Sequence, residues 1–168
     1  MPRKFKRMAA VADAAAAGQA ESLPWILVTG GLGFIGSHVV EHLGSFGTHR
    51  IMVADARTYA VQPASVAALE SLELVEVRTL DLRDPMPIKD LMAEVPFEMV
   101  MHFAAESHVD RSFGNSTAFT ATNVMGTHNL LEAWRCSPHR YGLKAFVHVS
   151  TDEVHGSIEH DLDDPDQI

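Results

Sequence analysis

The sequence is poor in cysteine and in positive charge. A single cysteine, Cys136, rules out an internal disulfide and is typical of a reducing compartment, so we expect a cytoplasmic protein. Lys and Arg number 13 against 22 Asp and Glu, which gives a formal net charge of −9. Because a phosphate backbone is bound by clustered Lys and Arg, this balance disfavours nucleic acid as a partner.

A long hydrophobic run is also missing. The nearest candidate, residues 22–40, carries no Asp, Glu, Lys or Arg and meets the crude length of a membrane helix. It contains four glycines and a proline, and its pattern changes halfway along. We interpret it as a strand, a turn and a helix, so no membrane partner is predicted.

Two parts of the chain differ in composition. The opening MPRKFKRMAAVADAAAAG is basic and then alanine-rich, loosely like a transit peptide. Few hydroxyl residues and no amphipathic stripe favour a disordered tail over residues 1–23. The remainder, residues 24–168, is long enough for one domain with a sizeable core.

Strand and helix patterns alternate from Pro24 onward. Apolar runs of strand length are WILVT (25–29), RIMVAD (50–55), LELVEV (72–77), FEMVMHFA (97–104) and AFVHVS (145–150). Helical patterns cover 34–46, 87–95 and 116–135, with another from Ser65; in the longest, Val124, Thr127, Leu131 and Trp134 fall on one stripe. The alternation predicts an α/β fold, a doubly wound parallel sheet of the Rossmann type. Ligands of such sheets bind at the carboxyl ends of the strands.

A glycine motif, TGGLGFIGS, follows the first predicted strand. Gly30, Gly33 and Gly36 have the spacing G-x-x-G-x-x-G, and Asp55 ends the next strand, which is the context of a dinucleotide fold. Gly30 would permit the tight turn, Gly33 would admit the pyrophosphate and Gly36 would let the helix pack on the strand. Asp55 would bind the ribose hydroxyls and repel a 2′-phosphate, which favours NAD over NADP. The alternative is that the glycines only ease a strand–helix turn.

Three further segments follow predicted strands. Asp81 is interpreted either as an acceptor for the adenine amino group, with Leu82 near the ring, or as a helix N-cap. Ala104 and Ala105 are small enough for a cofactor to lie against the backbone. Next to them, Glu106 and Ser107 would offer polar groups to the nicotinamide half or a substrate, or belong to an ordinary solvated loop.

The fifth strand ends in the stretch HVSTDEVHG. Asp152 and Glu153 could divide acid and base duties near a nicotinamide if their environments separated their pKa values, and Thr151 could hold a substrate hydroxyl. On the pattern alone, the alternative that the carboxylates cap the next segment stays open. His38 and His42 share a helix face but lack the HExxH order of zinc hydrolases, and we expect no metal site.

Taken together, residues 25–156 resemble the nucleotide-sugar 4,6-dehydratases of the extended short-chain dehydrogenase superfamily, and among these the dTDP-glucose 4,6-dehydratases most. The resemblance runs through VTGGLGFIGS, the TYA after Asp55, DLRD, HFAAESHVDRS, TNVMGT with LLEAWR, and VSTDEVHG. AAESHVD together with STDEV is the specific part, because related sugar epimerases usually lack that acid pair.

The resemblance implies an NAD-dependent lyase that turns a dTDP- or UDP-glucose into its 4-keto-6-deoxy sugar. It implies that Glu153 removes the C5 proton and Asp152 protonates the departing C6 hydroxyl, with Thr151 near the C4 oxygen and Ser107 near the substrate. It implies homodimers for full-length relatives. The implied NAD-site residues are Gly30, Gly33, Phe34, Ile35, Gly36, Asp55, Thr58, Asp81, Leu82, Ala104, Ala105 and Thr122.

Two departures from the family pattern are visible. His155 stands where the family has a tyrosine, and the family's Tyr-x-x-x-Lys pair is not found in these 168 residues. The tyrosines are Tyr59 and Tyr141, and in YGLK (141–144) the lysine is one residue too close. We therefore expect an N-terminal part without the C-terminal substrate part, and no turnover from this chain alone. The alternatives are a stand-alone NAD-binding module or pseudoenzyme, or a nucleotide-sugar 4-epimerase relative.

Overall fold

Five parallel strands form a single sheet in the computed structural model, which describes residues 20–61 and 63–156. The strands are β1 (Trp25–Thr29), β2 (Arg50–Asp55), β3 (Val75–Thr79), β4 (Phe97–His102) and β5 (Ala145–His148), in the order β3-β2-β1-β4-β5. The order reverses direction at β1, as in a doubly wound sheet. The predicted fold class is confirmed.

Helices cover both faces of the sheet. They are α1 (Phe34–Gly44), α2 (Pro63–Glu70), α3 (Pro85–Glu94), α4 (Val109–Gly114), α5 (Ser116–Phe119) and α6 (Thr127–Cys136), with a π-helical stretch (Thr120–Gly126) between α5 and α6. Short 3₁₀ turns lie at Ala20–Ser22, Arg140–Gly142 and Asp152–His155. In the described ranges, no helix reaches the length and apolarity that crossing a membrane requires.

The central strands β1 and β2 are buried on both sides because an apolar cluster lies on each face of the sheet. Leu27 and Met52 point to one cluster with Ile88 and Leu130, whereas Ile26, Val28 and Val53 point to the other with Val40. Burial of each such large side chain stabilises the fold by roughly 1.5–3 kcal/mol. The core therefore holds the carboxyl ends of the strands in one row.

The stripe predicted for the last helix is confirmed only in part, because Trp134 packs against the core and Thr127 is half-buried but the other two residues are exposed. Val124 and Leu131 are 60% and 39% exposed, and the buried side is instead formed by Gly126, Asn129, Leu130 and Ala133. The π-helical stretch breaks the regular 3.6-residue repeat just before α6, which shifts the buried face. Asn129 is acceptable in the core because its amide donates to the carbonyl of Leu82 at 2.8 Å.

The third strand is shorter at its start than predicted, whereas the segment 22–40 agrees with the prediction. The third strand begins at Val75, later than the predicted 72–77, because residues 72–75 form a turn in which Val75 N donates to the Leu72 carbonyl at 3.1 Å. The segment 22–40 is β1, a turn and the start of α1, as predicted. Most of the predicted tail, residues 1–19, and residues 157–168 lie outside the described residues.

A hydrogen-bonded histidine lies in the core beneath the carboxyl edge. His102 is 1% exposed. Thr127 Oγ1 donates to the Asn123 carbonyl at 2.7 Å, so it accepts from Nε2–H of His102 at 2.9 Å. Nδ1 then accepts from the Thr29 hydroxyl at 2.6 Å. Both ring nitrogens of the neutral imidazole are thus hydrogen-bonded, and these bonds join β1 and β4 to the start of α6.

The neutral state of His102 predicts a loss of stability in weak acid. Burial, and to a smaller extent His148, lowers the pKa of His102 from 6.5 to about 4. Between pH 6.5 and about pH 4, His102 is protonated in the unfolded chain but neutral in the folded chain. The free energy of unfolding therefore decreases as the pH falls. The expected loss is about 2 kcal/mol from near pH 7.5 to near pH 5. Urea unfolding at both values measures it.

The matched variant is His102→Gln, whose amide supplies a hydrogen-bond donor and an acceptor but does not titrate. We expect its stability to depend less on pH than that of the parent over the same range, whatever its absolute stability. An equal decrease in the parent and in His102→Gln would show that other groups cause the acid sensitivity.

Candidate functional site

The glycine turn after β1 is built by close backbone contacts. Gly30 has φ of +69°, and its N–H donates to the Ala54 carbonyl at 2.8 Å. A Cβ at Gly30 would lie 2.5 Å from the backbone N of Ala104, in the loop after β4. Gly30 is therefore required both by the turn and by the approach of a second loop.

Glycines at the start of α1 lie in close contact with the backbone of the turn. A Cβ at Gly36 would lie 2.3 Å from the Gly30 carbonyl oxygen, so the helix packs directly on the turn, whereas a Cβ at Gly33 would meet only that oxygen, at 3.3 Å. Gly33 is the N-cap and gives no side-chain cap bond. The first-turn N–H groups of a helix have no partner within it, so this end can receive an anion.

Asp55 joins the glycine turn to the end of β2. Its side chain is buried, 7% exposed, and Oδ2 accepts from Leu32 N at 3.0 Å while Oδ1 accepts from Arg57 N at 2.8 Å. Each carboxylate oxygen has further lone-pair capacity for a ribose hydroxyl. The predicted ribose acceptor is thus also a structural clamp, which the spacing did not indicate.

The loops after β2 and β4 are tied together across the glycine turn. The Tyr59 hydroxyl donates to Glu106 Oε2 at 2.8 Å, and the Arg111 guanidinium lies 3.6 Å from the centre of the Tyr59 ring. Burial, and to a smaller extent Glu106, raises the pKa of Tyr59. Asn123 holds the backbone of Glu106 on both sides, at 2.8 and 2.9 Å. Sequence reasoning gave no role to Tyr59 or Asn123, although TYA and TNVMGT pointed to their segments.

The other predicted cofactor residues lie along the same edge. Phe34 and Ile35 are exposed large side chains at the start of α1, and Thr58 and Ala105 are exposed in their loops. Ala104 and Thr122 are half-buried. A small cavity of about 40 Å³ lies beside Gly33 and Phe34. A larger one, about 320 Å³ and lined by Pro24, Phe97 and Tyr141, lies at the amino ends of the strands, away from these residues.

Asp81 does not cap a helix, so that alternative is wrong. The N-cap of α3 is Asp84, whose carboxylate accepts from Met86 N at 3.0 Å. Asp81 instead accepts from the backbone N of Arg83 at 2.9 Å and pairs with its guanidinium, which lowers the pKa of Asp81. Leu82 is buried in the core, and the adenine contact of both residues stays a prediction.

The tip after β5 lies beside the end of β4, because Val149 N donates to the His102 carbonyl at 3.1 Å. Thr151 is the N-cap of the short 3₁₀ turn and accepts from Glu153 N at 3.3 Å, so the cap is the threonine and not the carboxylates. The Thr151 hydroxyl lies 3.2 Å from Asp152 Oδ1 and 3.4 Å from Glu153 Oε2. Both carboxylates are exposed, as is Ser107.

Of the metal-site candidates, His38 bonds the Phe34 carbonyl through Nδ1 at 2.7 Å, and its ring lies against the Phe34 ring. Within residues 20–61 and 63–156, no three His, Cys, Asp or Glu side chains are grouped so as to hold a metal ion.

Known proteins resemble this chain in sequence and in fold. The model of the GDP-mannose 4,6 dehydratase family matches residues 27–166. A dTDP-glucose 4,6-dehydratase from Escherichia coli is 40% identical over 148 residues, which cover 85% of this chain and 40% of that protein. The chain thus spans about two fifths of the length of this relative.

Two solved structures represent the neighbouring folds. The dTDP-glucose 4,6-dehydratase DesIV from Streptomyces venezuelae, with NAD and TYD bound, has a TM-score of 0.70 and 40% identity over 81% of this chain and 42% of its own. A UDP-glucose-4-epimerase from Stenotrophomonas maltophila, with bound NAD and a formylated UDP-arabinopyranose, has a TM-score of 0.68 and 28% identity, with coverages of 82% and 40%. Dehydratases and epimerases therefore share the sheet, and identity is higher with the dehydratase.

The contacts of Gly36 predict that Gly36→Ala destabilises the chain. Alanine normally favours a helix over glycine by about 1 kcal/mol. Here its Cβ would lie 2.3 Å from one backbone atom and 2.8 Å from another, Gly31 Cα. We expect a net loss of about 1–3 kcal/mol in urea unfolding.

The matched control is Gly142→Ala, where a Cβ would meet nothing within 4 Å. This variant should unfold at the parent's urea midpoint or slightly above it. A Gly36→Ala variant as stable as Gly142→Ala would mean that α1 does not pack on the turn as described.

Proposed function

The chain belongs to the GDP-mannose 4,6 dehydratase family, and we propose that it forms the N-terminal, NAD-binding part of a nucleotide-sugar 4,6-dehydratase. The observation that carries the proposal is the meeting of two features on one sheet edge. The glycine turn and Asp55 follow β1 and β2, and the Thr151–Asp152–Glu153 tip follows β5. The first suits a dinucleotide and the second suits proton transfer.

The residues present fit NAD. Gly33 has no side chain at the uncapped end of α1, where the pyrophosphate would bind through backbone N–H groups. Asp55 would hold the adenosine ribose, with Asp81 and Leu82 toward the adenine. The remaining contacts would come from Phe34, Ile35, Thr58, Ala104, Ala105 and Thr122. Bound NAD would supply the acceptor for the C4 hydride of the sugar and the donor that returns this hydride to C6 after water is lost.

The tip would handle the protons of the elimination. Once C4 is a ketone, the C5 proton is acidic, and Glu153 would remove it as a general base. Asp152, in its protonated form, would donate to the C6 oxygen as that C–O bond breaks, so that water leaves. Thr151, hydrogen-bonded to both carboxylates, would lie near the C4 oxygen, and Ser107 would contact the sugar. The substrate we propose is dTDP-glucose or UDP-glucose.

Cofactor preference tests the dinucleotide site. We expect NAD to bind the 168-residue chain at least about tenfold more tightly than NADP, because the Asp55 carboxylate repels a 2′-phosphate. Calorimetric titration of both dinucleotides measures the ratio. Asp55→Asn should reduce the preference for NAD over NADP. The control Asp90→Asn, on the exposed side of α3, should leave this preference unchanged. Equal affinity of the parent for NAD and NADP would refute the assignment of Asp55.

The roles of the carboxylates are tested in a chimera in which the C-terminal part of DesIV completes the chain. Asp152→Asn and Glu153→Gln should bind NAD as the chimera does, yet lower the rate of 4-keto-6-deoxy product formation by about 10²–10⁴-fold. NADH should still appear in a single turnover, since C4 oxidation needs neither carboxylate. Glu132→Gln, an exposed carboxylate on α6, is the control. Dehydration by both tip variants at the unmodified rate would show that the carboxylates are structural.

A further inference from the structure

Arg57 lies two residues after Asp55, and its cationic side chain points away from the Asp55 carboxylate. Its φ is +51°, and its backbone N–H donates to Asp55 Oδ1 at 2.8 Å, so the backbone of Arg57 belongs to the proposed ribose site. The guanidinium lies elsewhere. Nε donates to Thr79 Oγ1 at 3.0 Å, and Nη2 donates to Glu70 Oε1 at 2.6 Å.

These two partners place the guanidinium beside β3. Thr79 is the last residue of β3 and pairs in register with Asp55, and Glu70 is the last residue of α2. The ion pair is partly open to solvent, with 37% of the Arg57 side chain and 47% of the Glu70 side chain exposed. Arg57 is therefore held on the neighbouring strand but not buried there.

The chemistry of a 2′-phosphate makes this placement important. Arginine accommodates the 2′-phosphate in NADP-binding relatives of this fold, because its planar guanidinium forms several hydrogen bonds to phosphate oxygens. Arg57 starts from the ribose site, and a free side chain there could turn toward the 2′ position. In this structure, Thr79 and Glu70 instead accept from its Nε and Nη2 and hold the guanidinium beside β3.

We propose that Glu70 is a specificity-determining residue, which favours NAD over NADP by holding Arg57 against β3. The inference rests on the proposed dinucleotide site. Asp55 repels the 2′-phosphate directly. Glu70 keeps the Arg57 guanidinium away from the 2′ position, where it would attract the phosphate. Because a partly exposed ion pair is weak, we expect the effect of Glu70 alone to be about two- to fivefold.

The test measures the ratio of NADP to NAD dissociation constants by titration calorimetry. Glu70→Gln should lower the ratio about two- to fivefold by improving NADP binding. In an Asp55→Asn background, the same change should lower it further than the product of the two single effects, because nothing then repels the phosphate. Glu70→Asp, which keeps the charge, should restore the parent ratio in part.

Two variants show whether Glu70 acts through Arg57. Glu70→Gln combined with Arg57→Ala should lose the gain in NADP binding; a gain that persists would mean simple repulsion by Glu70 and would overturn the proposal. The matched control is Glu94→Gln, which removes the partner of Arg78 in another exposed ion pair and should leave the ratio unchanged.

The remaining outcomes separate this inference from the proposed function. If the parent binds NAD but Glu70→Gln changes neither affinity, or both equally, then Glu70 is only structural and the proposed function still stands. If the parent binds neither dinucleotide, the proposed site itself is wrong, and the inference fails with it.

Discussion

The hydrogen bonds of one buried carboxylate hold the candidate site together. Asp55 receives Leu32 N from the turn after β1 and Arg57 N from the loop after β2, so one side chain sets the distance between two loops. The Gly30 contact then fixes a third loop, since Ala104 lies where a Cβ would be. Because Asp55 is buried, removal of either N–H partner would leave a charged group poorly satisfied. The glycine turn thus depends on the strand beside it.

A second set of polar contacts holds the other half of the edge. His102 joins β1 and β4 to Thr127, the first residue of α6, and Thr127 donates to the Asn123 carbonyl in the π-helical stretch. The side chain of Asn123 in turn bonds the backbone of Glu106. π-Helical turns are rare and often lie at functional sites. Here the turn presents Asn123 to the loop that precedes Ser107. The loop after β4 is therefore held by the hydrogen bonds of the neutral histidine and by the Asn123 amide.

Backbone periodicity could be predicted from the sequence, whereas side-chain partners could not. The alternation of apolar runs with helical patterns gave the parallel sheet, and the residues after β1, β4 and β5 fall on one edge as expected. The buried face of α6 could not be predicted, because a π-helical stretch leaves no mark in an apolar pattern. Nor could the cap at Asp84 be distinguished from Asp81 in DLRD, since both carboxylates precede Pro85. The Tyr59–Glu106 contact joins loops 47 residues apart and has no local signal.

The glycine turn and the tip after β5 differ in how much of the proposed site their own residues supply. In the proposed dinucleotide site, the helix end and the glycine turn would receive a phosphate through their own backbone N–H groups. Division of acid and base roles between Asp152 and Glu153 requires unlike environments. Both carboxylates are exposed on the same 3₁₀ turn and share the Thr151 hydroxyl. Their environments are therefore alike in this structure, and the proposed division of roles would require further groups against the tip, such as a bound substrate.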